Sequence, residues 1–557
     1  MLGFDPAGAE GKPPNLHCAS DAWELIAKAV SHWNRLPGFY MPEYWKGPGF
    51  IQQIVDAVDE CRNTHKRCGT KDLGVLPGMI LDVSSSGTNG RVFLREPGQQ
   101  KRGDYIALSY CWGGPQKVVT EMANRAEHQQ HGIELSRLPR TISDAARVTV
   151  SLRIRYLWVD ALCIVQDDHT SKALEIEKMG DIYANATLVL VAGGVVRRAN
   201  EGFLEPQGEF AVVPIRVGKS CPGVPVCLAP GDLEVSHIDS RGWTFQERHL
   251  ASRTLEFRGS RGVSLSCQES FITYVGGAHP DGTDAWEPDE RKLSEKLAVR
   301  ANARGLWQAM LEEYTVRRLT KTDDRLPALA GFARMWALES PSSPGKYMAG
   351  LWEGLLVDDL MWRSGVQHMD SDVRISLDRY RKPGWSWISV LDHDEPEMLK
   401  AGSFITNPQR IRTRLGGYDE NKASLVRHSV SLAHADAPFG RVLGGEITLR
   451  AQVVPIPKSL GGEKERGRWE AILRSCDYRL SAADIGRLLL LRLKIGGQWD
   501  PLTSRAQHGD GGLLILPRDQ NSSVCMRVGC FWDWSDAEDG VPLVDWYAVG
   551  FQETTLI

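Results

Sequence analysis

Three short apolar runs, separated by amphipathic segments, organise the middle of the chain. Residues 105–110 (YIALSY), 156–164 (YLWVDALCI) and 187–192 (TLVLVA) each have the length and composition of a buried strand. Between them, residues 138–153 and 171–186 repeat apolar side chains at helical spacing. Strands that alternate with helices predict βαβ units, so we expect the three strands to be neighbours in one mainly parallel sheet.

The flanking regions have different patterns. Residues 50–68 show helical spacing, and residues 79–83 and 90–94 have the pattern of short strands. Residues 461–467 are charged and rich in glycine, which predicts a loop. The patterns divide the chain into a helical N-terminal lead-in at 1–100, an α/β domain at 101–270, a helical segment at 271–370 and a β-rich C-terminal region at 371–557.

Composition narrows the class of protein. The 557 residues are 42% hydrophobic and 24% charged, as in an ordinary globular protein, and the formal net charge is −4. This balance gives no global attraction to nucleic acid or to an anionic membrane. No apolar stretch approaches the roughly 20 residues that a membrane span needs. Eleven scattered cysteines favour reduced thiols. We therefore expect a cytoplasmic protein with neither nucleic acid nor membrane as a partner.

Three segments carry a resemblance to a known family. They are residues 108–113 (LSYCWG), 157–168 (LWVDALCIVQDD) and 241–248 (RGWTFQER). In this order and spacing they resemble the signature of the fungal heterokaryon-incompatibility (HET) family in its stand-alone form, with the domain lying roughly at 105–269. The resemblance implies nonself recognition, in which fusion of incompatible cells ends in programmed death. It also implies a distant similarity to TIR domains, whose sheet is flavodoxin-like and some of which cleave NAD with a glutamate.

The resemblance leaves several functions open. It implies no certain cofactor, and it makes NAD a candidate substrate. Candidate partners are an allelic or non-allelic incompatibility protein, a small-molecule ligand and a second copy of the chain. One alternative is a HET-like enzyme that acts on a small molecule in fungal specialised metabolism. The other alternative is an interaction scaffold without catalysis.

Polar side chains occur within and just past the second apolar run. Asp160 interrupts the run, and Gln166, Asp167 and Asp168 follow it. In open α/β sheets, ligands bind beyond the carboxyl ends of the strands, so these groups are candidates for contacting a polar ligand. In the alternative interpretation, Asp160 bonds to backbone or to Arg241, and one of the later aspartates caps the next helix.

The third segment places an indole, an amide and a carboxylate at positions i, i+3 and i+4. If the segment is helical, Trp243, Gln246 and Glu247 share one face, where they could hold a planar ligand. In the alternative interpretation they form a buried structural latch, in which Glu247 pairs with Arg241 or Arg253.

Asp160 and the third segment are expected to meet in space. A charge in a buried strand is expensive unless it is paired or hydrogen-bonded. An arginine from the third segment is the best candidate for that partner, since the segment must pack on the same domain. We therefore predict that Asp160 lies beside residues 241–248.

Two further residues are catalytic candidates. Glu177, in the second predicted helix, is either a TIR-type acid or a surface charge. Cys111 sits at a strand end beside a glycine turn, and it could act as a nucleophile if His249 or His169 came near it. The predicted catalytic residues are Asp160, Glu177, Glu247 and Cys111. The predicted ligand-binding residues are Ser109, Trp112, Gln166, Asp167, Asp168, Arg241, Trp243, Gln246 and Arg248.

Soft metal ligands occur in the lead-in. Cys61, His65 and Cys68 have i, i+4, i+7 spacing, so on a continuous helix they would line one face. A zinc site needs a fourth ligand, for which only His17 or Cys18 offers itself upstream. Without a clear fourth ligand, we expect a packed helix face and no bound metal.

Overall fold

The structure is a computed structural model in which two compact units, residues 1–299 and 300–557, can be distinguished. The residues that it describes are 48–68, 74–98, 102–194, 196–204, 211–215, 224–228, 237–258, 263–274, 303–339, 344–362, 375–376, 383–390, 419–456, 463–474, 476–500, 505–519, 522–535 and 543–557. In this part of the chain, no helix combines the length and the apolar composition needed to cross a bilayer.

The first unit is built on a nine-stranded sheet. Its spatial order is β11-β10-β9-β6-β3-β5-β1-β2-β4, and β7 and β8 pair separately. The strands are β1 (Ile80–Asp82), β2 (Arg91–Arg95), β3 (Tyr105–Ser109), β4 (Ile133–Glu134), β5 (Tyr156–Trp158), β6 (Leu188–Ala192), β7 (Ala211–Ile215), β8 (Val224–Leu228), β9 (Arg253–Phe257), β10 (Val263–Cys267) and β11 (Phe271–Tyr274).

The four central strands of the sheet are parallel. Ile106 of β3 lies opposite Leu157 of β5, and Ala107 lies opposite Val189 of β6. Every side chain of β3 and β6 is buried, as expected for parallel strands that are covered on both faces. The three apolar runs are therefore neighbours, as predicted. A mainly parallel, flavodoxin-like sheet is not confirmed, because β1, β2, β4, β10 and β11 all join the sheet by antiparallel pairing.

Short helices connect these strands. Residues 50–68 were expected to form one helix, but the observed helix begins two residues earlier and ends at Thr64. In the predicted helix at 171–186, the helical spacing of apolar side chains places Leu174 on the inner side, but this residue is 46% exposed. The helices of the first unit are α1 (Pro48–Thr64), α2 (Ser86–Asn89), α3 (Arg125–Gln130), α4 (Arg140–Ser151), α5 (Asp160–Cys163), α6 (His169–Asn185) and α7 (Thr244–His249).

The second apolar run is not a single strand, which corrects the prediction for residues 156–164. β5 ends at Trp158, and Asp160 opens the short helix α5. The Asp160 carboxylate accepts a hydrogen bond from the amide of Ala161 at 2.7 Å. Aspartate side chains that bond to neighbouring amides favour helix starts over strands, which explains the change of structure at this position.

The second unit combines helices with a seven-stranded sheet, and this sheet confirms the β-rich C-terminal region. The predicted loop at 461–467 is wrong for its last five residues, because α11 begins at Glu463. The helices of this unit are α8 (Ala303–Thr315), α9 (Pro327–Glu339), α10 (Leu356–Asp359), α11 (Glu463–Arg474) and α12 (Ala482–Ile485). The strands are β12 (Tyr347–Met348), β13 (Leu351–Trp352), β14 (Ile375–Ser376), β15 (Asp419–Asn421), β16 (Ser424–Leu432), β17 (Val442–Pro455), β18 (Tyr478–Arg479), β19 (Leu489–Asp500), β20 (Arg505–Pro517), β21 (Val524–Ser535) and β22 (Phe551–Leu556).

The large sheet of the second unit closes on itself. Its order is β15-β19-β20-β21-β22-β17-β16, and β17 also pairs with β19. Inside this unit, Arg527 and Asp477 form an ion pair of 2.9 Å that is shielded completely from solvent. The Arg527 guanidinium also stacks on the Trp362 ring at 3.4 Å from its centroid. The buried Arg527 side chain thus has an ion-pair partner, a stacking partner and backbone carbonyls that accept its hydrogen bonds.

Candidate functional site

The site lies at the carboxyl ends of two adjacent parallel strands. Ser109 is the last residue of β3, and Trp112 follows three positions later. Asp160 lies two residues past the end of β5. Because β3 and β5 are parallel neighbours, their carboxyl ends lie side by side at the same edge of the sheet.

Asp160 is held by donors from both strand ends. Its carboxylate accepts hydrogen bonds from the Trp112 indole at 2.8 Å and from the Ala161 amide at 2.7 Å. Burial raises the pKa of Asp160, while the bond from Trp112 and the charge of Arg241 oppose that increase. Asp160, Trp112 and Arg241 all remain partly accessible to solvent. The carboxylate is therefore anchored among residues that each keep part of their surface exposed.

The third segment reaches this site, as predicted. The Arg241 guanidinium donates a hydrogen bond to the carbonyl of Tyr110, next to the end of β3. Its positive charge also acts on the Asp160 carboxylate. Asp160 and residues 241–248 therefore meet, although about 80 positions separate them in the sequence.

Helix α7 contributes the second carboxylate. Glu247 is buried and accepts a hydrogen bond from the Ser109 hydroxyl. Gln246 beside it is also buried, whereas Trp243, just before the helix, is partly accessible and packs against the core. Arg248 forms ion pairs with Glu256 and with Asp239, the latter at 3.2 Å. Glu247 thus joins α7 to β3, while Arg248 joins it to β9.

Two tyrosines of the site were not predicted. The Tyr183 hydroxyl donates to the carbonyl of Leu108 at 3.0 Å. Burial raises the pKa of both Tyr110 and Tyr183 well above the usual value, and the nearby carboxylates raise it further. Tyrosines within apolar patterns are indistinguishable from core residues in the sequence. We call Ser109, Tyr110, Trp112, Asp160, Tyr183, Arg241 and Glu247 the Asp160 cluster.

The polar residues after α5 hold the backbone in place. Gln166 donates to the carbonyls of Asp160 and Ile164, both at 3.0 Å, and accepts from Lys172 at 2.8 Å. Asp167 accepts from the amide of Met122 at 2.9 Å. Asp168 caps α6 by accepting from the amide of Ser171 at 3.1 Å. The cap formed by Asp168 matches the structural alternative, in which one of the two aspartates caps the next helix. A role of Asp167 or Asp168 in ligand binding stays a prediction.

The two remaining catalytic candidates lie in different settings. Glu177 lies in α6 and is partly exposed. Along the helix axis it is five residues, or about 8 Å, from Lys172, the residue that donates to Gln166. Cys111 is buried, and burial raises the pKa of its thiol, which disfavours the reactive thiolate. The His249 ring packs against Phe245, with 4.5 Å between the ring centroids. Cys111 as a nucleophile therefore stays a prediction, and burial of its thiol counts against it.

Cys61, His65 and Cys68 do not line one continuous helix, because α1 ends at Thr64 and the chain then turns. The turn brings all three side chains to one point, where Cys267 of β10 joins them. The upstream candidates for a fourth ligand, His17 and Cys18, lie outside the described residues. The expectation of a metal-free helix face rested on the lack of a clear fourth ligand. That premise is wrong, because Cys267 lies in position to be the fourth ligand.

Comparison with known proteins points to the family that the three sequence segments resemble. No solved structure matches the chain. Heterokaryon incompatibility protein 6, OR allele, of Neurospora crassa is 35% identical over 94 residues, which span 16% of this chain and 14% of that protein. The family described as heterokaryon incompatibility protein (HET) matches residues 105–247, from the first residue of β3 to Glu247 in α7. The chain therefore carries a domain of the heterokaryon incompatibility (HET) family at residues 105–247.

Proposed function

We propose that this chain is a cytoplasmic nonself-recognition factor of the heterokaryon-incompatibility type, whose HET domain triggers cell death through the Asp160 cluster. One observation carries the proposal. Side chains from all three signature segments converge at the carboxyl edge of β3 and β5. Ser109, Asp160 and Glu247 come from the first, second and third segments respectively, and each makes a polar contact there.

The finer proposal is that the cluster binds a small polar ligand. The parallel strands lie in the spatial order β5-β3-β6-β9, which is second, first, third, fourth along the chain. Flavodoxin-like sheets use this order and bind ligands at the carboxyl ends of their strands. In the related dinucleotide-binding folds a carboxylate binds the ribose hydroxyls. The partly accessible Trp112 and Trp243 offer surfaces for stacking a base. NAD is the ligand that we propose to test first.

A death assay tests the proposed function. The full chain is placed under a regulated promoter in a filamentous fungal host, and surviving colonies are counted after induction. We expect the wild type to reduce survival by about tenfold or more, and Asp160→Asn and Glu247→Gln to restore it at equal protein levels. Asp59→Asn is the matched control, because Asp59 is exposed, belongs to the same unit and lies outside the predicted site. Killing by wild type and Asp160→Asn alike would exclude the cluster from the function.

A second assay separates catalysis from assembly. Purified chain is incubated with NAD, and release of nicotinamide is measured by chromatography. The TIR-like proposal predicts release that Glu247→Gln or Asp160→Asn abolishes and Asp59→Asn leaves intact. Killing without any conversion of NAD would favour a non-catalytic assembly or another small-molecule substrate.

A further inference from the structure

A second cluster lies away from the Asp160 cluster and is made of metal-ligating side chains. The sulfur atoms of Cys61, Cys68 and Cys267 and a ring nitrogen of His65 all lie within 4.8 Å of one another. The three cysteines are 2–9% exposed, and none forms a disulfide. The sequence separates the first three residues from Cys267 by about 200 positions, so the fold itself assembles the set.

The distances suit a single tetrahedral ion. Zn–S bonds of about 2.3 Å and Zn–N bonds of about 2.0 Å place tetrahedral ligand atoms roughly 3.5–3.8 Å apart. His65 Nδ1 lies 3.7 Å from Cys68 Sγ and 3.3 Å from Cys267 Sγ. Three sulfurs and one nitrogen form a ligand set that zinc prefers, and four protein ligands leave no open position for substrate. The arrangement is that of a structural site.

Arg253 provides independent evidence for negative charge at this point. Its side chain is almost fully buried and donates hydrogen bonds to Cys61 Sγ at 3.0 Å and to the carbonyls of Cys68 and Thr187. Within the described residues, no carboxylate forms an ion pair with Arg253. A buried guanidinium without a counter-charge is strongly destabilising. One Zn²⁺ bound by three thiolates carries a net charge of −1, which would balance this arginine.

Backbone amides surround the fourth ligand. The amides of Glu269 and Ser270 point at Cys267 Sγ, with nitrogen–sulfur distances of 3.4 and 3.1 Å. Hydrogen bonds to a ligating sulfur stabilise its thiolate form and fix its direction. The Glu269 carboxylate also accepts from the amide of Arg67, so the turn that carries Cys68 is tied to the turn that follows Cys267.

We infer that Cys61, His65, Cys68 and Cys267 bind one zinc ion that fastens the end of α1 to β10. This inference replaces the expectation of a metal-free site. It is independent of the proposed function, because the cluster shares no residue with the Asp160 cluster.

Metal content tests the inference directly. The full chain is purified under reducing conditions without chelator, and its metals are measured by elemental analysis. We expect about one zinc per chain. Replacement by Co²⁺ should give the visible absorption of tetrahedral thiolate coordination. Less than about a tenth of an equivalent of zinc, with no cobalt spectrum on titration, would overturn the inference, as would stoichiometric iron or a disulfide between two of the cysteines.

Variants assign the ligands. Cys267→Ser and His65→Ala should each weaken cobalt binding by about tenfold or more, whereas His65→Cys should keep the metal in an all-sulfur site. Cys163→Ala is the matched control, because Cys163 is a buried cysteine of the same unit outside the cluster. Equal loss of metal in Cys163→Ala and Cys267→Ser would contradict the assignment. If Cys267→Ser fails to fold, retention of cobalt by His65→Cys and the spectrum of the wild type still decide.

Substitutions of Arg253 test whether its charge stabilises the metal site. Arg253→Met should leave the cobalt spectrum tetrahedral but raise the dissociation constant by about 10- to 100-fold, because it removes the balancing charge and a hydrogen bond to Cys61. Arg253→Lys should recover part of the affinity. Unchanged affinity in Arg253→Met would show that the arginine does not stabilise the site.

Discussion

The surroundings of Asp160 partly disfavour the charged form of its carboxyl group. Protein atoms bury the carboxylate and raise its pKa, although Trp112, Ala161 and Arg241 stabilise the ionised form. A carboxyl group whose pKa moves toward neutrality is better suited to acid–base chemistry than an exposed one. The same shift makes the stability of the domain depend on pH in a defined direction.

The sign follows from the raised pKa. Because the pKa of Asp160 is higher in the folded state, protonation of this carboxyl group stabilises the folded domain. This stabilisation is complete at pH values below the unfolded-state pKa of about 3.9, and it is lost as pH rises through the folded-state pKa. We therefore expect Asp160→Asn, which cannot ionise, to gain stability relative to wild type as pH rises from about 4 to 7. Urea denaturation at several pH values measures the difference. Asp167→Asn serves as the exposed control, and a difference for Asp160→Asn that is constant with pH would refute the prediction.

The buried pair of Arg527 and Asp477 gives a prediction for the second unit. Arg527→Met removes the guanidinium that balances the buried charge of Asp477, which should cost about 3–5 kcal/mol of unfolding free energy. Adding Asp477→Leu to that variant should recover most of the loss, because no charge then remains buried. Denaturation of the single and double variants measures both effects. Equal stability of the single variant and the wild type would show that water reaches the pair.

Part of the Asp160 cluster could be predicted from sequence. An aspartate within an apolar run must find a partner, and that argument correctly placed Asp160 near Arg241 of the third segment. The hydrogen bonds described for its carboxylate come instead from Trp112 and the Ala161 amide. Tyr110 and Tyr183 could not be identified in this way, because the neighbours of a buried hydroxyl depend on tertiary packing. Cys267 was missed for a similar reason, since no local spacing links it to Cys61.

At the scale of elements, the apolar runs predicted where buried elements lie better than whether each element is a strand or a helix. The run at 156–164 was expected to be one strand, yet it divides into β5 and α5, since apolar composition alone does not distinguish a buried strand from a buried helix turn. Residues 463–466 are Glu, Lys, Glu and Arg, all good helix formers, so Gly467 is tolerated inside α11. Helix propensity outweighs the turn signal of one glycine there.

Gly512 of β20 marks a close approach between two strands. A methyl group at this position would lie 2.0 Å from the carbonyl oxygen of Leu491 in β19, beside the bulge between Arg492 and Lys494. Gly512→Ala should therefore cost about 1–3 kcal/mol of unfolding free energy. Gly444→Ala in β17 is the control, because its methyl group would meet no atom within 4 Å. Chemical denaturation that gives both variants the same stability would refute the prediction.

At the scale of the whole molecule, the zinc inference predicts a local effect in a chain of two units. Removing the metal frees the end of α1 from β10, so amide hydrogen exchange should accelerate in those two elements. Exchange in β19 and β20 of the second unit should stay unchanged. Mass spectrometry of exchange before and after chelation, with zinc added back, measures the effect. Acceleration throughout the chain would indicate global unfolding instead.

The distance between Cys68 and Cys267 along the sequence has a consequence during synthesis. A ribosome that adds about 5–20 residues per second needs on the order of 10–40 s to proceed from one to the other. Throughout that interval the nascent chain holds three ligands of an unfinished set, while all of residues 105–247 are being translated. Closure of the cluster thus has to wait until the last residue of the HET match has been made. A chain that stops before residue 267 would contain the whole HET match but would lack one of the four clustered ligands.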